Sequence, residues 1–151
     1  MLDGSDHWQL LAERPNVQVL GVPDDSPIRL EDLDVEFWGW AHRDYSSMSP
    51  LRKPPERRLR WQIAMAHGHY SEKRYEPNAP APSWLIYVED IESTGADYIA
   101  LGHWNLHTQV GNGGVPAYYS GSPDLEHTLN VIRLGDEGVQ VHREPLEAIE
   151  A

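Results

Sequence analysis

Two apolar stretches of this chain each run directly into histidine and glycine. Residues 61–66 precede His67-Gly68-His69, and residues 97–101 precede Gly102-His103. Apolar runs of this length, bounded by charged or loop-forming residues, are typical of buried strands. Side chains that follow the ends of such strands are held on a rigid platform, which suits a functional site. The pattern therefore predicts a sheet with a histidine-rich site along one edge.

Strands outnumber helices in the rest of the sequence. Strand-like segments are predicted over residues 17–20, 28–30, 35–40, 115–119, 128–134 and 139–142, with a turn at 135–138 between the last two. A short helix is predicted over residues 8–13, where Pro15 follows. A second helix is predicted over residues 84–94, because Leu85, Val88 and Ile91 have helical spacing and Gly95 follows. We therefore expect a single α+β domain over residues 1–151, built from layered sheet with few helices.

The composition excludes several classes of function. Twenty-four acidic residues against twelve Lys and Arg give a formal net charge of −12, so long nucleic acid is expected to bind only through metal ions. The absence of Cys removes disulfides, thiolate ligands and a Cys nucleophile. No apolar run has membrane length and the N-terminus is acidic, which predicts a cytoplasmic protein without membrane contact. The basic segment from Arg52 to Arg60 is expected to be a solvated loop in preference to a phosphate contact.

The histidines form two candidate ligand clusters, His67 with His69 and His103 with His107. Imidazole binds zinc, manganese and iron, and neighbouring strands can place two such clusters side by side. Between His67 and His69, His67 is the preferred ligand because it comes first after the apolar run. Carboxylates, which usually neutralise a two-metal site, are scarce near these clusters, so the ligand set is rich in histidine and poor in carboxylate.

Three segments in this order resemble the C-terminal half of the calcineurin-like metallophosphoesterases. They are residues 66–68 (Ala-His-Gly), residues 97–103 (Asp-Tyr-Ile-Ala-Leu-Gly-His) and residues 119–124 (Tyr-Ser-Gly-Ser-Pro-Asp). Within that family, the chain is most similar to the branch that includes DNA-repair exonucleases. The resemblance implies part of a layered β-sandwich with flanking helices, the C-terminal half of an αββα fold. It also implies hydrolysis of phosphoester or phosphodiester bonds at a dinuclear centre of manganese, iron or zinc.

The same resemblance implies roles for individual residues. His67 and His103 become ligands of the same metal ion. Where the family has a second histidine after His103, this chain has Asn105, with His107 two residues further on, so either of these side chains is a candidate ligand. His7 becomes the counterpart of the histidine that protonates the leaving group. The family's first two metal-binding motifs have no counterpart here and would lie before Met1, so a partner chain or upstream polypeptide is expected to supply them.

Two other readings of the sequence stay open. The chain could be a catalytically inactive remnant that acts as a metal-binding or partner-binding module, because the same ligands are missing. It could also be a mononuclear histidine-metal protein of unrelated chemistry, which requires His69 or His107 as an extra ligand.

Residues 120–124 could present backbone N–H groups to an anion or form a tight turn between strands. The substrate stays open among phosphodiesters, phosphomonoesters, nucleotides and DNA ends.

Overall fold

The main element of the structure is a six-stranded mixed sheet. The computed structural model describes residues 10–21, 25–41, 49–76, 82 and 84–146. The strands of this sheet are β1 (Ile28–Leu30), β2 (Val35–Trp38), β3 (Trp61–His67), β6 (Tyr98–Gly102), β7 (Thr108–Val110) and β8 (Ala117–Tyr119). They lie in the order β1-β2-β3-β6-β8-β7. The four central strands are parallel, and β1 and β7 run antiparallel to their neighbours. The carboxyl ends of the four central strands therefore lie along one edge.

Two short sheets and two short helices follow along the chain, and residues 10–12, near the start of the described part, are also helical. Strand β4 (His69–Tyr70) pairs in parallel with β5 (Leu85–Ile86). Strands β9 (Thr128–Gly135) and β10 (Gly138–Pro145) form an antiparallel hairpin. The helices are α1 (Val88–Ser93) and α2 (Pro123–Glu126), with a 3-10 turn at Glu31–Leu33. The predicted α+β class is confirmed, because the described core is mostly sheet with few helices.

The central sheet has an apolar core on each face, as alternation of side chains along β3 requires. On one face Ala64 packs in a cluster with Ile91 of α1 and with residues of β6 and β8. On the other face Ile63 packs in a smaller cluster, against which Ile132 and Val139 of the β9–β10 hairpin are placed. Burial of each large side chain contributes about 1.5–3 kcal/mol to stability. The central strands are thus covered on both faces, which holds their carboxyl ends in place.

Polar side chains join the strands at the opposite, amino end. The guanidinium of Arg57 donates to the carboxylate of Asp97 at 2.5 Å and to the carbonyl of Gly95 at 2.7 Å. The same carboxylate oxygen of Asp97 accepts from the backbone N–H of Gln62 at 2.7 Å. Arg57 therefore links the loop before β3 to the loop before β6. This part of the basic segment makes structural contacts at the end of the sheet far from the histidines.

Glu36 is the second polar centre at the amino end, and it is fully buried. Its carboxylate accepts from the Arg29 guanidinium at 3.2 Å, from the Gln62 amide at 2.9 Å and from the Arg58 backbone N–H at 3.1 Å. These three donors offset the desolvation of a buried carboxylate, which is destabilising when left unpaired. Strands β1, β2 and β3 are therefore tied together by one acidic side chain.

The segment before α1 differs from the sequence prediction. A single helix was expected over residues 84–94, but Leu85–Ile86 form β5 and the helix begins at Val88. The helix begins there because the carboxylate of Asp90 accepts from the backbone N–H of Tyr87 at 2.9 Å, which caps the first turn. Residues 17–20 form no strand, and the short strands β4 and β7 were not predicted. Pairing with distant segments decided each of these short elements.

Candidate functional site

The parallel pairing of β3 and β6 brings two of the predicted site residues together. In the register of these strands His67 lies opposite Gly102, so His103 is the next residue beyond the end of β6. The ring centroids of His67 and His103 are 5.4 Å apart, with the planes at 78°. A Cβ atom on Gly102 would lie 3.0 Å from Nδ1 of His67. Glycine at this position therefore leaves room for the His67 ring at the sheet edge.

His103 lies between two other histidines and has an unusual backbone conformation. Its φ is 131°, a value that residues with a side chain rarely adopt. Its ring centroid lies 5.5 Å from that of His69, with the planes at 81°. We call His67, His69 and His103 the histidine cluster. Backbone strain of this kind persists where the surrounding structure imposes it, and it concentrates at functional sites.

His69 reaches the cluster because the chain bends at Gly68 as it leaves β3. The Gly68 N–H donates to the carbonyl of Gly102 at 3.2 Å, and the His69 N–H donates to the carbonyl of Trp84 at 3.0 Å. A Cβ atom on Gly68 would lie 2.4 Å from that Trp84 carbonyl oxygen. Only glycine allows β4 to approach β5 this closely directly after the end of β3.

Two aromatic residues that the sequence interpretation did not assign to the site hold this arrangement. The indole N–H of Trp104 donates to Nδ1 of His69 at 3.3 Å, and the indole ring stacks on Tyr119 at 4.7 Å and 12°. The Tyr119 hydroxyl donates to the carbonyl of Gly68 at 2.7 Å and accepts from the N–H of Tyr70 at 2.9 Å. The sequence signal that could have indicated these two residues is an aromatic side chain next to a histidine, as at Trp104, or at the end of a strand, as at Tyr119.

The electrostatics of the site favour neutral imidazoles at His67 and His69. Partial burial lowers the pKa of His67 and of His69, and the charge that His103 carries when protonated lowers both further. Protonation of one ring in the cluster thus opposes protonation of the next. Neutral imidazole is the form that binds a metal ion or accepts a hydrogen bond. His67 and His69 are therefore prepared for either role near neutral pH.

The structure places Asn105 and His107 on the loop between β6 and β7. The backbone carbonyl of Asn105 accepts from the N–H of Ser122 at 2.9 Å, so that N–H of the 120–124 segment is used inside the protein. A Cβ atom on Gly121 would lie 2.9 Å from the backbone nitrogen of His107, which shows how closely these two loops pack. The His107 ring lies 5.9 Å from the ring of Tyr118. His7, the expected leaving-group acid, lies outside the described residues.

The distance between the His67 and His103 rings can be compared with the distance between two histidine ligands of one zinc ion. An imidazole nitrogen binds zinc at ~2.1 Å, so its ring centroid lies ~3.2 Å from the ion, and two tetrahedral ligands have centroids ~5.2 Å apart. The 5.4 Å between His67 and His103 fits one shared ion. Among the described residues, however, no group of three or more His, Asp or Glu side chains is arranged to hold a metal ion. The pair fits part of a metal site, and the described residues do not complete it.

None of the helices in the described part of the chain is both long enough and apolar enough to cross a membrane. Comparisons with models of protein families, with curated proteins and with solved structures found no match. The function must therefore be inferred from the residues and geometry of this chain.

Proposed function

We propose that this chain forms the C-terminal part of a calcineurin-like metallophosphoesterase, a hydrolase that cleaves phosphoester or phosphodiester bonds at a dinuclear metal centre. The observation that carries the proposal is the 5.4 Å approach of His67 and His103 at the carboxyl ends of paired parallel strands. These are the two histidines that the family resemblance implies as ligands of one ion. In the layered arrangement, α1 lies on one face of the sheet and the β9–β10 hairpin on the other. This arrangement supports the proposal that the chain forms half of the family's sandwich fold.

The residues of the cluster have separate roles in this proposal. His67 and His103 hold one divalent ion, manganese, iron or zinc, and Asn105 or His107 adds a further ligand. The ions of such a centre supply the charge that polarises a phosphoryl group and the acidity that makes water a nucleophile near neutral pH. The paired strands keep the two imidazoles at a fixed separation. His7 remains the candidate acid for the leaving group.

The remaining ligands come from outside the described residues in this proposal, because those residues contain no complete metal-binding group. A partner chain or an upstream polypeptide that carries the family's first two motifs is the expected source. The substrate is a phosphoester. The net charge of −12 opposes binding of a long nucleic acid except through the metal ions.

Calorimetric titration with manganese and zinc tests the ligand assignment. We expect His67→Ala and His103→Ala each to lower the affinity for the metal at least about tenfold, because each removes one of two close ligands. The matched control is His127→Ala, since His127 is also an exposed histidine with a positive φ, 50°, but follows α2 and makes no ring contact with the three histidines of the cluster. Unchanged affinity in a His67→Ala/His103→Ala double variant would contradict the assignment.

Hydrolysis of bis-p-nitrophenyl phosphate with manganese tests the activity. The chain is assayed alone and together with a polypeptide that carries the Asp-Xaa-His and Gly-Asp motifs. Turnover that requires both polypeptides and is lost in His103→Ala is the expected result. If no turnover occurs in any combination, the phosphoesterase proposal is wrong.

A second candidate function is a metal-binding or partner-binding module without catalysis. The specific observation in its favour is the absence of a complete metal-binding group from the described residues. The stoichiometry of the titration separates the two candidates. A module binds one ion per chain whether or not the second polypeptide is present, whereas a dinuclear enzyme binds two when it is.

A further inference from the structure

The three histidines of the cluster are not chemically equivalent. Nδ1 of His69 accepts a hydrogen bond from the indole N–H of Trp104 at 3.3 Å. An indole N–H can only donate, so the His69 nitrogen that faces it carries no proton. A neutral His69 therefore has its proton on Nε2.

This protonation pattern decides what His69 can do. A metal ligand needs a nitrogen without a proton, but the free nitrogen of His69, Nδ1, is already used by Trp104, and Nε2 carries the proton. The 5.5 Å between the His69 and His103 rings would otherwise suit a shared ion as well as the 5.4 Å between His67 and His103. Because of the hydrogen bond from Trp104, His69 is a hydrogen-bond donor through Nε2–H and differs in this from His67 and His103, which the proposed function makes metal ligands.

A connected group of aromatic side chains holds both the ring and the backbone of His69. The ring of Trp104 stacks on Tyr119 at 4.7 Å and meets the edge of Tyr70 at 6.4 Å. The hydroxyl of Tyr119 bonds to the backbone groups immediately before and after His69, the carbonyl of Gly68 and the N–H of Tyr70. The orientation of His69 is therefore fixed at three points, which is the support that a precisely oriented functional side chain needs.

We propose that His69 is a substrate-binding residue whose Nε2–H donates a hydrogen bond to a phosphoryl oxygen bound at the histidine cluster, and that Trp104 is the positioning residue that keeps the proton on Nε2. The identity of the ligand as a phosphoester rests on the proposed function. The assignment of the proton to Nε2 rests on the hydrogen bond from Trp104 alone. The two parts can therefore fail separately.

Long-range ¹H–¹⁵N correlation spectra of the histidine rings test the role of Trp104. At about pH 8, where an ordinary histidine is neutral, His69 is expected to show the pattern of the Nε2–H tautomer. Trp104→Phe keeps the ring that stacks on Tyr119 but removes the donor, so His69 is expected to become a mixture of tautomers. The control Trp61→Phe removes an indole at the amino end of β3 and is expected to leave His69 unchanged. An Nδ1–H pattern in the wild type, or no change in Trp104→Phe, would overturn the assignment.

Titration with inorganic phosphate tests the role of His69 in binding. It is followed through the Nε2–H signal of His69 in the metal-free and the zinc-loaded chain. The signal is expected to shift on phosphate binding, and His69→Ala is expected to weaken phosphate binding about ten- to a hundredfold, the effect of losing a hydrogen bond to a charged group. His69→Gln, which restores an N–H donor, is expected to recover part of that loss. Zinc affinity is expected to stay the same in both variants.

Each alternative outcome has a distinct meaning. If His69→Ala weakens zinc binding as strongly as His67→Ala does, His69 is a metal ligand and the inference is wrong. If the wild-type chain binds no zinc even with the second polypeptide present, the proposed metallophosphoesterase function fails, and the metal-free phosphate titration still decides the role of His69. If phosphate leaves the His69 signal unchanged with and without zinc, His69 does not bind the phosphoryl group.

Discussion

Replacing Tyr119 by Phe tests how the histidine cluster is held in place. Tyr119 is completely buried, and its hydroxyl supplies two hydrogen bonds, to the carbonyl of Gly68 and from the N–H of Tyr70. Phe keeps the aromatic ring that stacks on Trp104. The variant leaves two buried backbone groups without these partners, at about 1–3 kcal/mol each. Since the chain can relax in part, we expect the free energy of unfolding to fall by about 2–4 kcal/mol in total.

Urea unfolding, followed by tryptophan fluorescence, measures this change at neutral pH. The matched control is Tyr118→Phe on the same strand. Its side chain points to the other face and stacks with Tyr98 at 6.1 Å, so the change in stability is expected to stay within about 0.5 kcal/mol. The slope of the free energy against urea is expected to be unchanged in both variants. A Tyr119→Phe variant as stable as the control would refute the view that this hydroxyl secures the bend at Gly68.

The same variant has a predictable dependence on pH. Burial raises the pKa of Tyr119 to about 12, whereas a tyrosine in the unfolded chain ionises near pH ~10. The unfolded state therefore loses this proton first, and the contribution of Tyr119 to stability is complete below pH ~10 and is lost as the pH rises towards ~12. A shift of about two units corresponds to about 2.7 kcal/mol. The wild-type advantage over Tyr119→Phe should shrink by roughly this amount across the interval, and an advantage that does not change with pH would contradict the reasoning.

Two further variants test other parts of the fold. His103 has a φ of 131°, which only glycine adopts freely. In thermal unfolding we therefore expect the His103→Gly variant to be more stable than the His103→Ala variant by about 1 kcal/mol or more. Equal stabilities would mean that the backbone is not strained at this residue. Asp97→Ala leaves the Gln62 N–H and the Arg57 guanidinium without their shared acceptor. In urea unfolding we expect the free energy of unfolding to fall by about 1–3 kcal/mol. The control is Asp136→Ala at an exposed carboxylate, and an equal fall in both variants would refute a structural role for Asp97 at the amino end.

The sequence was sufficient to predict the elements that are long and regular. The runs that became β3 and β6 are apolar and end at glycine or histidine, and the β9–β10 hairpin has a glycine-bounded turn between alternating segments. Leu85 shows why shorter elements were harder to predict. Its spacing from Val88 and Ile91 suits a helix, yet Leu85 pairs with His69 in β4. Spacing within a segment cannot reveal a pairing with a strand many residues away.

The candidate site could be predicted only as far as the strands determine it. The meeting of His67 and His103 follows from two parallel strands that end at the same edge. The contacts around His69 depend on side chains 35 to 51 residues apart in sequence, from Trp104 to His69 and from Tyr119 to Gly68. Nothing in local periodicity indicates which rings will stack across the sheet. His107, which the resemblance makes a candidate ligand, has its ring beside Tyr118, a contact that the sequence pattern did not indicate.

The two ends of the central sheet differ in the ionisable side chains that they carry. The carboxylates of Glu36 and Asp97 lie at the amino end and are bonded to arginines there. The carboxyl end has the histidine cluster, whose imidazoles are neutral when they bind a metal ion. In the proposed metal site, a divalent ion held by His67 and His103 alone would therefore keep its full positive charge. Such a site would attract an anion more strongly than one with carboxylate ligands, and the proposed donor on His69 suits an anion such as a phosphoryl group. The chemistry of the cluster thus favours an anionic ligand even before the missing ligands are supplied.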